Sequence, residues 1–266
     1  MKIIDVDKFS FHKIRNAISS DYIIPEQVEI IHNKRCNYKC KFCYYTKNNT
    51  CDNYLDYLST IFYKQSYPGL IVRINLNDTN DDILEILKFF KKKNTITIIQ
   101  VVSDLFLNHK AFIDQYNQYI DIIDVTPTRN VEINHISNFM NKYDYCKVVI
   151  SLIDKVINFN RIKDLKDGLY HYKPFINKKG ELEFTKFNIS HLQKHNAIIF
   201  SSVFGFENGV KLLPEILVNR KPNDSLIIDL VDKKYYTQYN MINKIDLFKN
   251  DKLEEMYKKV LARKSI

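Results

Sequence analysis

Near-continuous apolar runs alternate with helix-patterned segments through the first two-thirds of the chain, and no other feature restricts the fold as strongly. Residues 28–32, 70–76, 95–103, 120–126, 147–153 and 170–176 read as strands rich in Ile, Val and Leu. Between them, residues 54–63, 81–93, 108–119 and 132–142 carry apolar side chains at helical spacing, with Asp52 or Asn53 capping the first. In 81–93 the acidic residues lead and the lysines trail, which complements the helix dipole. Strands apolar on both faces belong in a parallel sheet covered by helices, so the pattern predicts an α/β fold, and six such units predict a barrel or partial barrel. A chain of 266 residues that is 45% apolar fits one such domain. Past residue 177 the alternation stops. Residues 178–180 read as a turn, 189–196 as a short helix, 225–231 and 234–238 as strands joined by Asp232 and Lys233, and 252–264 as an amphipathic helix. The expected organisation is an N-terminal segment 1–26, a core 27–176 and a C-terminal extension 177–266 packed on the barrel, all in one structural domain.

Cys36, Cys40 and Cys43 follow the first strand as a C-x3-C-x2-C run and account for three of the five cysteines. Three thiolates at this spacing can bind three corners of a [4Fe-4S] cluster and leave the fourth iron open to an external molecule. With His32 they can also form a closed Cys3His zinc site, the mark of an interaction module rather than an enzyme. The start of the chain lacks a long apolar signal core, and no stretch of about eighteen apolar residues occurs, so a cytoplasmic location without membrane association is expected. Thiols stay reduced there, which favours metal binding over disulfides. The net charge of +9 invites a nucleic-acid reading. The lysines are spread along the chain rather than gathered on a stripe, and this does not favour it.

The cysteine spacing, with an aromatic at Phe42 before the third cysteine, resembles the signature of the radical S-adenosylmethionine (radical SAM) superfamily. The resemblance implies a partial (β/α)6 TIM-like barrel with the cluster loop after the first strand. It also implies an oxygen-sensitive cluster whose open iron holds the amino and carboxyl groups of SAM. One electron from a donor such as flavodoxin or ferredoxin then cleaves SAM to methionine and a 5′-deoxyadenosyl radical, which takes hydrogen from a substrate. Phe42 would lie beside the adenine. Asn77 and Asp78 stand where the family has a Gly-Gly-Glu-Pro-like segment for the SAM amino group, here without its glycines. Val102-Ser103-Asp104-Leu105 is similar to the family's Ser/Thr-Asn-Gly segment, which gives Ser103 a SAM contact. Thr126 and Ser151, at later strand ends, are further cofactor-contact candidates. Arg129 can bind a substrate carboxylate or phosphate as a bidentate fork, and Tyr44 and Cys51 are hydrogen-donor candidates. Each has an ordinary alternative: Asp81 as a helix cap, Ser103-Asp104 as a turn, Arg129 on the surface, Tyr44 and Cys51 as packing. Residues 225–236 resemble the hairpin that carries additional cluster cysteines in peptide-modifying members. No cysteine follows Cys146, so a single cluster is expected. Cys36-Asn37-Tyr38-Lys39-Cys40 and Ile227-Ile228-Asp229 also resemble the viperins, antiviral nucleotide dehydratases. This inclines the reading toward a nucleotide or other small polar substrate, with modification of a peptide or protein partner as the alternative.

Overall fold

The computed structural model of the chain describes residues 24–25, 27–36, 49–80, 82–128, 130–139, 147–153, 169–173, 175–176, 182–183, 198–200, 206–207, 210–211, 225–237 and 244–262. It is an α/β structure whose parallel strands appear where the apolar runs place them. These are β1 (Gln27–Ile31), β2 (Ile71–Leu76), β3 (Ile96–Val102), β4 (Ile122–Thr126), β5 (Lys147–Ile153) and β6 (Leu169–Lys173). Short strands follow: β7 (Phe175–Ile176), β8 (Leu182–Glu183), β9 (Ile198–Phe200), β10 (Phe206–Glu207) and β11 (Val210–Lys211). The last three are β12 (Ser225–Asp229), β13 (Lys234–Thr237) and β14 (Ile245–Asp246). Among the described residues one sheet of ten strands runs β14-β13-β12-β1-β2-β3-β4-β5-β6-β9. From β12 to β9 every pairing is parallel, and only β13 and β14 run against their neighbours.

The order from β1 to β6 follows the sequence without reversal, so right-handed crossovers put the connecting helices on one face of the sheet. Those helices are α1 (Tyr54–Ile61), α2 (Leu84–Lys92), α3 (Ser103–Asn108), α4 (Lys110–Asp114) and α5 (Asn130–Ser137). A C-terminal helix, α6 (Leu253–Ala262), buries Met256 and Val260 in the same core. Alternate strand residues enter one apolar cluster with these helices: Val28 and Ile30, Val72, Ile74 and Leu76, Ile99 and Val101, Ile123 and Val125, Leu226 and Ile228. Phe62 belongs to this cluster, edge-on to Tyr67, Phe89 and Phe90 at centroid distances of 5.6, 6.4 and 4.9 Å. Truncation there removes a fully buried ring and three aromatic contacts. Phe62→Ala is expected to lower the unfolding free energy by about 3–5 kcal/mol in urea titration, whereas Tyr63→Ala, half-exposed next door, should change it little.

Boundaries moved where local hydrogen bonding outweighs apolar spacing. The single helix expected over 108–119 is replaced by the short α4 and a 3-10 turn at Asn117–Tyr119, while α3 precedes it and ends at Asn108. Ser103, expected in a strand end or turn, opens α3. Just ahead of α2, Asp82 Oδ1 accepts the Leu84 N–H at 3.0 Å; Asp81, expected as a cap, lies outside the described residues. The expected two-residue link of the late hairpin spans four residues, because Asp229 Oδ1 accepts the Asp232 N–H at 2.9 Å and shapes a wider turn. This hairpin joins the main sheet: β12 pairs in parallel with β1 over Gln27–Ile31. The turn expected at 178–180 and the helix expected at 189–196 lie outside the described residues. Among the described residues no helix is long and apolar enough to cross a membrane.

Candidate active site

Strand alternation sends every second side chain to the face away from the helices, and there polar residues stand among apolar ones such as Ile31, Ile98 and Val149. Glu29, Arg73, Asn75, Gln100, Asp124 and Ser151 occupy it, at positions offset by one from the apolar set. Most are buried, so they must satisfy one another. Arg73 Nη1 donates to Asp124 Oδ2 at 2.8 Å, Gln100 Nε2 reaches the same oxygen at 3.2 Å, and Ser151 Oγ donates to Asp124 Oδ1 at 2.5 Å. Asn75 Nδ2 donates to Glu29 Oε1 at 3.2 Å. One carboxylate thus gathers donors from three strands. The Arg73 Nε–H is buried without an acceptor among the described residues. In register, His171 stands beside Ser151 on the next strand.

The cysteine segment departs from the C-terminal edge of this sheet. Lys34 N donates to Asn49 O at 2.8 Å and Cys51 N to His32 O at 2.9 Å, with an antiparallel bridge between Asn33 and Thr50. Residues 32–34 and 49–51 therefore meet directly beyond β1. Cys36 is half-buried there, and Asn33 Oδ1 accepts the Arg35 N–H at 2.7 Å. Cys40, Cys43, Phe42 and Tyr44 lie outside the described residues, as does Arg129. His32, the fourth ligand of the zinc alternative, is buried with its ring edge-on to Tyr54 of α1 at 5.8 Å. Among the described residues no group of His, Cys, Asp and Glu is placed to hold a metal. The donor chemistry still suits an iron–sulfur cluster: several thiols on one segment with a fixed neck, at the sheet edge where reactive groups gather in parallel α/β folds.

The other expected contacts divide. Asn77 Nδ2 reaches Asn33 O at 3.4 Å, joining the end of β2 to the root of the cysteine segment. Asp78 Oδ1 accepts the Asn80 N–H at 2.8 Å and forms a local turn. Ser103 is fully buried, and its hydroxyl donates to Glu132 Oε2 at 2.5 Å. The same carboxylate oxygen accepts Thr128 N–H and Oγ1, both at 3.0 Å. Ser103 and Thr128 thereby tie β3 and β4 to the start of α5. Thr126 is half-buried at the end of β4, opposite Val102. Ser151 is fully buried and bonded to Asp124. Cys51 is buried with Lys233 Nζ 3.2 Å from its sulfur.

Sequence reasoning passed over the residues that organise this end of the sheet. Lys34, only 3% exposed, pairs with Asp229 at 2.6 Å and Asp232 at 2.8 Å. Burial of such charges is tolerated only with close partners, and removing one partner typically costs about 3–5 kcal/mol. Lys233 adopts a left-handed backbone with φ 54°, a conformation that costs a non-glycine residue about 1 kcal/mol or more. Its ammonium lies 3.8 Å from the Tyr57 ring centroid, a cation–π contact that offsets the strain. Tyr236 packs with Ile31 and Ile227 on the polar face. Burial, then the charges of Asp229, Glu29 and Asp232, push its phenol well above the usual tyrosine range, so it stays protonated.

No protein-family model matches the sequence, and no solved structure matches it. In an alignment of 183 residues that covers 60% of the chain, it is 22% identical to a protein of Oncorhynchus mykiss named S-adenosylmethionine-dependent nucleotide dehydratase RSAD2. The chain spans about half the length of that relative, 52%. This similarity supports a radical SAM relationship.

Proposed function

We propose that the chain is a radical SAM enzyme acting on a nucleotide-like substrate, with the sheet curved into a partial barrel and the substrate seated against its polar face. The observation that carries the reading is the cysteine segment rooted at the C-terminal end of β1, beside a buried polar layer spanning β1 to β5. Cys36, Cys40 and Cys43 would hold a [4Fe-4S] cluster, which when bound supplies the electron that cleaves SAM to methionine and a 5′-deoxyadenosyl radical. The unreversed order β1 to β6, with β12 on the far side of β1, supports the partial barrel. Among the described residues it leaves one sheet face free of crossover helices.

The chain's own residues then bind and orient. Arg73 presents a guanidinium, held by Asp124 at one nitrogen and bare of described partners at Nε, to any phosphate or carbonyl oxygen on that face. Gln100 and Ser151 fix the Asp124 carboxylate, so the guanidinium holds its direction without a substrate. Asn77, tied to Asn33 at the root of the cysteine segment, is the SAM-contact candidate on β2's end. Ser103 contributes through the Glu132 carboxylate it supports, more than through a free hydroxyl. The nucleotide class rests on the relative's name together with the Arg73 Nε–H, which has no acceptor among the described residues.

Anaerobic purification followed by iron, sulfide and zinc assays tests the first half. About four irons per chain with broad absorbance near 400 nm are expected; one zinc and no colour would sink the proposal. With dithionite and SAM, 5′-deoxyadenosine should form and rise severalfold when ribonucleoside triphosphates are added. A rise with peptide extract and none with nucleotides would move the substrate to the peptide class.

A further inference from the structure

We infer that the turn joining β12 to β13 is a clamp that fixes the root of the cysteine segment and so positions Cys36, which makes Lys34, Asp229, Asp232 and Lys233 positioning residues for the site proposed above. It rests on that reading for what Cys36 binds, and on the fold alone for the clamp. The turn meets the root from both sides. Lys34, two residues before Cys36, places its ammonium between Asp229 and Asp232 at 2.6 and 2.8 Å. Leu230 N donates to Ile31 O at 2.9 Å and carries the β1–β12 ladder past the last strand residue. On the returning arm Lys233 Nζ lies 3.2 Å from Cys51 Sγ while stacked on Tyr57 of α1. Cys51 N in turn donates to His32 O, so both arms of the neck are tied to one turn. The turn is itself anchored from behind, where Leu247 N donates to Lys233 O at 2.9 Å.

A buried lysine held by two carboxylates, one of them nearly inaccessible, resists displacement because any movement leaves a charge uncompensated. Outer partners of this kind orient metal-binding residues, and their loss typically weakens retention by about 10- to 100-fold. Lys233 keeps a left-handed backbone that glycine would adopt more readily, so its side-chain contacts to Tyr57 and Cys51 are what the position retains.

The test compares wild type with Asp232→Asn/Lys233→Ala, two half-buried positions. After anaerobic reconstitution, the double variant should release iron to an excess of a ferrous chelator at least roughly tenfold faster than wild type. In the metal-free chain, trypsin should cut after Arg35 severalfold faster. Lys88→Ala, which removes an exposed pair with Glu85 on α2, should change neither rate. Equal iron release and equal cleavage in a double variant that melts like wild type overturn the clamp. If the double variant melts early, Asp232→Asn alone carries the comparison, and unchanged rates there overturn it as well. A wild-type chain that binds no iron defeats the functional reading, while trypsin cleavage of the metal-free protein still decides the clamp.

Discussion

Replacing Cys36 with alanine is expected to reduce bound iron to well below half of wild type and to lower 5′-deoxyadenosine formation by more than about 100-fold, a larger loss than removal of an outer partner produces. The expectation follows from what an open-iron cluster requires. Three thiolates leave one iron for SAM, and with two the cluster exposes a second iron to solvent and is lost. Cys51→Ala is the milder comparison. Its sulfur is buried at the neck against Lys233 and is not one of the three proposed cluster ligands, so iron content should fall far less than in Cys36→Ala. If SAM cleavage persists in that variant while substrate turnover falls, Cys51 acts as the hydrogen donor considered above. Equal iron in Cys36→Ala and wild type would remove the basis of the functional proposal.

The strands were legible because hydrophobic runs bounded by turn residues survive any tertiary arrangement, and the hairpin at 225–237 was legible for the same reason. The sequence did not reveal that this hairpin would sit beside β1. Pairing of β12 with Gln27–Ile31 joins segments nearly two hundred residues apart, and nothing local encodes that register. The cysteine spacing suggests a metal-binding chemistry, since such geometry is written in a short interval, but Cys40 and Cys43 lie outside the described residues. Ser103 and Ser151 drew attention as hydroxyls at strand ends, yet their partners, Glu132 and Asp124, were not singled out. The signal for the polar layer was nevertheless present. Arg73 and Asn75 interrupt an apolar strand at a spacing of two, and Glu29 and Asp124 interrupt theirs on the same face. A charge inside an otherwise apolar strand is costly unless that face is polar and partnered. Lys34 carried no such mark, because a lysine beside a loop reads as solvated until Asp229 and Asp232 are brought to it.

Asp124→Ala should be the most damaging single change on the polar face, lowering the unfolding free energy by about 3–5 kcal/mol in urea titration. The side chain accepts from Arg73, Gln100 and Ser151 while only 2% exposed. Its loss strands a guanidinium that is itself 11% exposed, together with two neutral donors. Ser151→Ala removes one of those donors and leaves the ion pair, so about 1 kcal/mol is expected. The double variant Arg73→Met/Asp124→Leu separates the pair's own worth from the penalty of an orphaned charge. Replacing both partners with apolar side chains of similar volume should recover most of the stability lost in Asp124→Ala, because a buried pair contributes little beyond its hydrophobic equivalent. Binding should not recover with it. If Arg73 holds the substrate's anionic group, the stable double variant loses nucleotide affinity by about 10-fold or more, measured by calorimetry with a ribonucleoside triphosphate. A double variant that refolds and binds nucleotide as tightly as wild type would leave the polar layer a structural device and move the substrate's anion to another part of the site.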